Sequence, residues 1–156
     1  MRKRSKYKPK RVMLDAVGYV TAGLQPVSAA KSEITLLGIK NHGAIEAIRT
    51  GNATLEQVNF LVNALNVANA LACMGQGQDW ITEIEAAQQA VRAASERPKF
   101  LFTGAELSAI NMAIVVHDAQ MTDPGTTVQM LEKAVAGLKM LSAQGKSTKI
   151  NFKGPI

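Results

Sequence analysis

Two histidines, one cysteine and a row of amides are the side chains with which this chain could do chemistry. His117 stands in VVHDAQM, where Ile110, Ile114, His117 and Met121 recur at helical spacing on one face. It therefore occupies a place where an apolar side chain is expected. His42 lies in KNHGAIEAI, with Glu46 one helical turn later. Two histidines with Asp118 and Glu46 have the donor types of a metal or proton-transfer site. The spacing argues against both, because neither E-x-x-H nor H-E-x-x-H occurs. Near a helix C-terminus His117 would also gain from the helix dipole. We read it as structural and expect neither a metal nor a cofactor. Cys73 is the single cysteine, which excludes an intrachain disulfide and a thiol-based zinc site. Late in an apolar helix, it reads as a small buried hydrophobe. GQGQ at 75–78 has no lysine and follows a helix rather than a strand, so it is not a phosphate loop. No catalytic residue emerges, and a non-enzyme is expected.

The amides form a pattern of their own. Glu56, Asn59, Asn63 and Asn66 follow one another at spacings of three or four, and Asn69 lies close to the same side. Asparagine is a mediocre helix former, so its recurrence marks either the solvent face of the helix or a polar seam against another surface. Asn59, Asn63 and Asn66 are candidate partner-binding residues. Amides do not titrate, which argues against catalysis.

The strongest signal is charge. The chain opens MRKRSKYKPKRV, with Arg2, Lys3, Arg4, Lys6, Lys8, Lys10 and Arg11 in the first eleven residues and no acid until Asp15. The whole chain has 18 basic and 12 acidic residues, so residues 1–11, at +7, carry more than the entire excess of +6. Such an attraction to polyanions is local rather than spread over the protein. Pro9 and mutual repulsion disfavour a helix before Arg11. An extended arm of this kind can follow a phosphate backbone, with Tyr7 stacking on an exposed base. Three readings are open: an arm for nucleic acid or another polyanion, a solubilising tail or one folded onto an acidic patch of its own body, and an arm for a protein partner.

These residues need elements to position them. With 47% hydrophobic and only 4% aromatic residues, the core must be built from Ala, Leu, Ile, Val and Met, which suits close-packed helices. LDAVGYVTAG predicts a short helix ending at Gly23 before Pro26. Ile34, Leu37, Ile45 and Ile48 suggest a second from about Ser28 to Arg49, broken at Gly51. Thr54 and Gln57 form a capping box that opens a third. On it Leu55, Val58, Leu61, Leu65 and Ala68 share a face, widened by Phe60, Val67 and Leu71, so this helix is expected at the centre. Asp79 is the expected cap of a fourth, with Ile81, Ile84, Ala87, Val91 and Ala94 inward and Pro98 as the stop. Thr103 and Glu106 box the fifth; Thr126 and Gln129 open the sixth, with Val128, Leu131, Val135, Leu138 and Leu141 as its stripe. The expected architecture is all-α: a compact bundle of about six helices with an extended basic N-terminal arm. It divides into the arm 1–11, a helical domain 12–143 and a basic tail 144–156.

No run approaches the ~18 apolar residues of a membrane span, and Asp15 interrupts what could be a signal peptide. A cytoplasmic, non-membrane protein is expected. The opening MRKRSKYKPK followed by IKNHGAIEAI, with a looser likeness in AELSAINMAIVVHDAQ, resembles small proteins of proteobacterial bacteriophages and prophages. The similarity covers roughly the first half and brings no catalytic residues with it. It implies a bacterial host cytoplasm. Two functions follow. One is a nucleic-acid-binding accessory factor using Arg2, Lys3, Arg4, Lys6, Tyr7, Lys8, Lys10 and Arg11, with the bundle as dimeriser or adaptor. The other is an inhibitor or adaptor that binds a host protein, including a defence protein, through a helix face.

Overall fold

The structure, a computed structural model, describes residues 16–97 and 100–145. They form six α-helices: α1 Ala16–Gly23, α2 Lys31–Arg49, α3 Leu55–Cys73, α4 Ile81–Glu96, α5 Gly104–Thr122 and α6 Val128–Ala143. Short 3-10 turns, Val27–Ala29 and Gln78–Trp80, precede α2 and α4. Among the described residues there is no strand beyond one isolated antiparallel bridge, Pro26 with Thr127. The all-α bundle is as expected. The arm at 1–11 and residues 146–156 of the tail lie outside the described residues, as does Pro98.

Two helix starts follow the expected chemistry. Thr54 Oγ1 accepts from the Gln57 N–H at 3.3 Å, and Gln57 Oε1 accepts from the Thr54 N–H at 2.9 Å. Thr103 and Glu106 repeat the exchange at 3.3 and 2.7 Å. Each box satisfies two N–H groups that the first helical turn leaves unpaired. Two other starts differ. α6 is capped by Thr127, whose Oγ1 accepts from the Met130 N–H at 3.3 Å, and not by Thr126. Thr126 is buried; its N–H donates to the Asp123 carbonyl at 3.1 Å and its carbonyl accepts from Val27 at 2.8 Å. The bridge to the chain around Pro26 thus takes Thr126 into the interior and moves the cap along by one. At α4, Asp79 is not the cap. Gly77, at φ 76°, turns the chain into the 3-10 turn, Trp80 takes the N-cap position, and no side chain caps it.

α3 lies at the centre, in contact with α2, α4, α5 and α6. Leu61, Leu65, Ile84, Val91, Ile110 and Ile114 form the main core, interleaved with Ala64, Ala68, Ala87 and Ala113. The small residues allow close approach of the helices, and the large ones fill the space between them. A second cluster joins Val27, Leu71, Met121 and Ala134 to Ile34, Leu37, Val128 and Leu131. Two expected stripes are only partly inward. Leu55 is exposed, because it is the first residue of α3 and projects beyond its neighbours. On α6 only Ala134 is buried, and Leu141 is exposed. That helix lies at the edge of the bundle, chiefly against α3, so most of its apolar stripe has half a covering.

Candidate binding groove

The four residues considered for a metal or proton-transfer site do not converge. His117 is buried on α5, and burial holds its imidazole below the ordinary histidine pKa, against the opposing pull of Asp118 and the Gln120 side chain. Its Nδ1 has no hydrogen-bond partner. His42 lies on the surface of α2, its Nε2 2.8 Å from Asp118 Oδ2 on α5, and ties those helices together. Glu46 is engaged instead by Arg49, at 2.6 and 2.7 Å. Cys73 is exposed rather than buried. The inward face of α3 ends with Leu71 and Ala72, and the next residue turns outward, where its thiol donates to Asn69 Oδ1 at 3.4 Å.

The amide row divides in two. Asn59 and Asn63 are exposed, while Asn66 and Asn69 are half-buried against α4. There Gln88 joins both: its Nε2 donates to Asn66 Oδ1 at 3.0 Å, and its Oε1 accepts from Asn69 at 2.9 Å. The seam and the solvent face are successive stretches of one stripe. Sequence reasoning missed Gln88, although its place one turn after Ile84 on the inward side of α4 was a signal.

It also missed a concave apolar surface. The loop after α3 is pinned to α5 by the buried Gln120, whose Nε2 donates to the Ala68 carbonyl at 3.0 Å and the Gln76 carbonyl at 2.7 Å. Gly77 passes so close that a Cβ there would lie 3.3 Å from that amide nitrogen. Below, Gly125 N–H donates to Asp123 Oδ1 at 2.6 Å, and a Cβ on Gly125 would meet the Gln76 side chain at 3.2 Å. Between this loop and α5 runs a groove of about 320 Å³. Trp80, Met112, Val115, Val116 and Ala119 make its apolar lining, and Asp123 stands at one end. Trp80, Met112 and Val115 remain 46%, 45% and 49% exposed. A helix that is apolar on almost every side normally has every side covered; α5 has this one side open. A second depression, between α2 and α3, is more polar and holds Lys40, Thr54, Gln57 and Phe60, with Lys40 Nζ 5.8 Å from the Phe60 ring centre.

Charge sharpens the groove's character. The described residues contain seven bases and eleven acids. The bases are confined to Lys31, Lys40, Arg49, Arg92, Arg97, Lys133 and Lys139, so none falls within 50–91 or 100–132. The groove and the loops around it draw on those two stretches. Asp123 lines the groove, and no lysine or arginine comes to it from the same segments. Such a surface suits an apolar and cationic ligand and repels a phosphate backbone. The seven arm bases and Tyr7 lie outside the described residues. Protein-family models, curated proteins and solved structures were all compared with this chain, and none matches it.

Proposed function

We propose that the protein is a non-enzymatic phage or prophage accessory factor of the bacterial cytoplasm that holds nucleic acid or another polyanion through its basic N-terminal arm. The observation that carries the reading is the division of charge. Residues 1–11 hold seven bases and no acid, whereas the described bundle is net acidic. A phosphate chain is drawn to the arm and repelled by the bundle, so contact is confined to one cationic stretch. Arg2, Lys3, Arg4, Lys6, Lys8, Lys10 and Arg11 supply the phosphate contacts, with little sequence preference, since phosphates carry none. No helix among the described residues is long and apolar enough to cross a membrane. The test is retention of a labelled duplex at low salt by the full chain and by a variant with all seven bases changed to Gln. Retention by the first alone supports the reading; equal retention, or none by either, removes it.

A second reading, an inhibitor or adaptor of a host protein, is favoured by the exposed apolar groove on α5 and by the solvent-facing Asn59 and Asn63. Under that reading, binding to the protein partner survives loss of the arm's charge and is lost when the groove is altered.

A further inference from the structure

The open side of α5 needs an occupant, and the chain contains one of matching chemistry. We propose that the N-terminal end of the basic arm, residues 1–7, docks in the groove between Trp80 and α5, so that a polyanion has to displace it.

Charge complementarity is the first support. The groove is lined by Asp123, and the stretches forming it, 76–80 and 112–123, contain no lysine or arginine. The bundle as a whole is acidic and the arm cationic, so the two attract at low ionic strength. Apolar complementarity is the second. The segment sets Tyr7 among its bases, while the groove offers Trp80, Met112 and Val115. Trp80 is the best aromatic face for an arginine or lysine to cover.

Reach is the third. Residue 23, at the end of α1, is placed so that a Cβ there would lie 3.5 Å from the Gln129 Cβ. From Gln129 the chain runs back four residues to Gly125, at most about 15 Å, and Gly125 borders Gln76 and Asp123 of the groove. α1 adds about 12 Å. The start of α1 is therefore within roughly 35 Å of the groove, and fifteen residues extended span about 50 Å. The tether is long enough to reach, and short enough that the local concentration of the arm is high.

The mechanism is a competition. While the arm is docked, only the undocked fraction can hold a polyanion, and the apparent affinity falls by that fraction. This coupling rests on the proposed function; the docking itself does not.

Trp80 is the only tryptophan in the chain, so its emission reports groove occupancy directly. In the full-length protein at low salt, titration with inorganic polyphosphate should shift Trp80 emission to the red as the arm leaves, and high salt alone should do the same. Val115→Glu, at a half-exposed position, should give red-shifted emission from the start, with an unchanged circular dichroism melt. It should also bind polyphosphate about threefold to tenfold more tightly, although it adds a negative charge. Simple electrostatics without docking gives the opposite sign. Trp80 emission unmoved by saturating polyphosphate, or weaker polyphosphate binding by Val115→Glu, would overturn the inference. A salt response that persists when the seven arm bases are Gln would overturn it in favour of the basic tail as occupant. A response that depends on protein concentration would overturn it in favour of a second copy's arm. If polyphosphate fails to bind while salt still shifts Trp80, the docking stands and the proposed function fails.

Discussion

The helical bundle and the eleven residues at the start of the chain are built on opposite plans. In the bundle, Leu61, Leu65, Ile84, Ile110 and Ile114 are fully enclosed, and acids outnumber bases. In the first eleven residues, seven side chains are basic and none is Leu, Ile, Val or Phe. The difference teaches that the fold's stability and the cationic charge, to which we assign polyanion binding, are written in separate stretches. Each should therefore be breakable alone.

The largest effect is expected in the core. Leu65→Ala and Ile114→Ala each remove a large, fully buried side chain and should cost about 2–5 kcal/mol in denaturant unfolding. Leu141→Ala, on the exposed edge of α6, should cost less than about 0.5 kcal/mol. The folded fraction of each variant should bind polyanion as the parent does. A change in affinity at equal folding would mean that the bundle takes part in binding.

Next comes the start of α5. Thr103→Ala removes one half of its capping box and should cost about 1 kcal/mol. Glu106, the other half, also receives Arg97 through two hydrogen bonds at 2.8 and 2.5 Å. Chiefly the Arg97 guanidinium, and then the Thr103 N–H, bring its carboxyl down to about 2. A carboxyl with a depressed folded-state pKa stabilises the fold above its unfolded value. That contribution should be lost as pH falls from about 4.5 toward 2, and melts of Glu106→Gln should lose this part of the pH dependence. His117 acts in a higher window. Its neutral form is favoured in the fold, so its contribution is complete above about pH 6.5 and declines as pH falls below that, when the unfolded chain takes up the proton more readily. Acidification from pH 7 toward 5 should lower the melting temperature, and less so in His117→Gln. Chelators should leave melting unchanged at any of these pH values; a large drop reversed by zinc would contradict a structural role for His117.

The smallest effect belongs to the arm. Tyr7→Ala should leave the melting temperature unchanged and weaken single-stranded binding more than duplex binding, if the ring stacks on bases.

Much of the bundle was legible because its signals are local. Thr54 with Gln57 and Thr103 with Glu106 form their boxes within four residues, and the stripes of α3 and α4 repeat at a spacing that only an inward face requires. What was not legible depended on contacts distant in the chain. Thr126 looked like a cap as good as Thr127; only the bridge to Pro26, a hundred residues earlier, draws it inward. Cys73 looked as apolar as Leu71, but it falls where the covering helices end. The amide row showed its spacing and not its division, because Gln88 lies on another helix. The groove was illegible for the same reason. Trp80, Met112 and Asp123 come from separate segments, and nothing in α5 alone tells which of its apolar sides is left open.

The central claim is that polyanion contact is confined to the first eleven residues. A salt titration of duplex binding tests it most directly, with the full chain set against the variant whose seven arm bases are Gln. If about four to six of those bases neutralise phosphates, log affinity for the full chain should fall with log salt at a slope of about −4 to −5. The variant should show no measurable binding. A variant that binds as tightly as the full chain, or a full chain whose affinity does not change with salt, would contradict it.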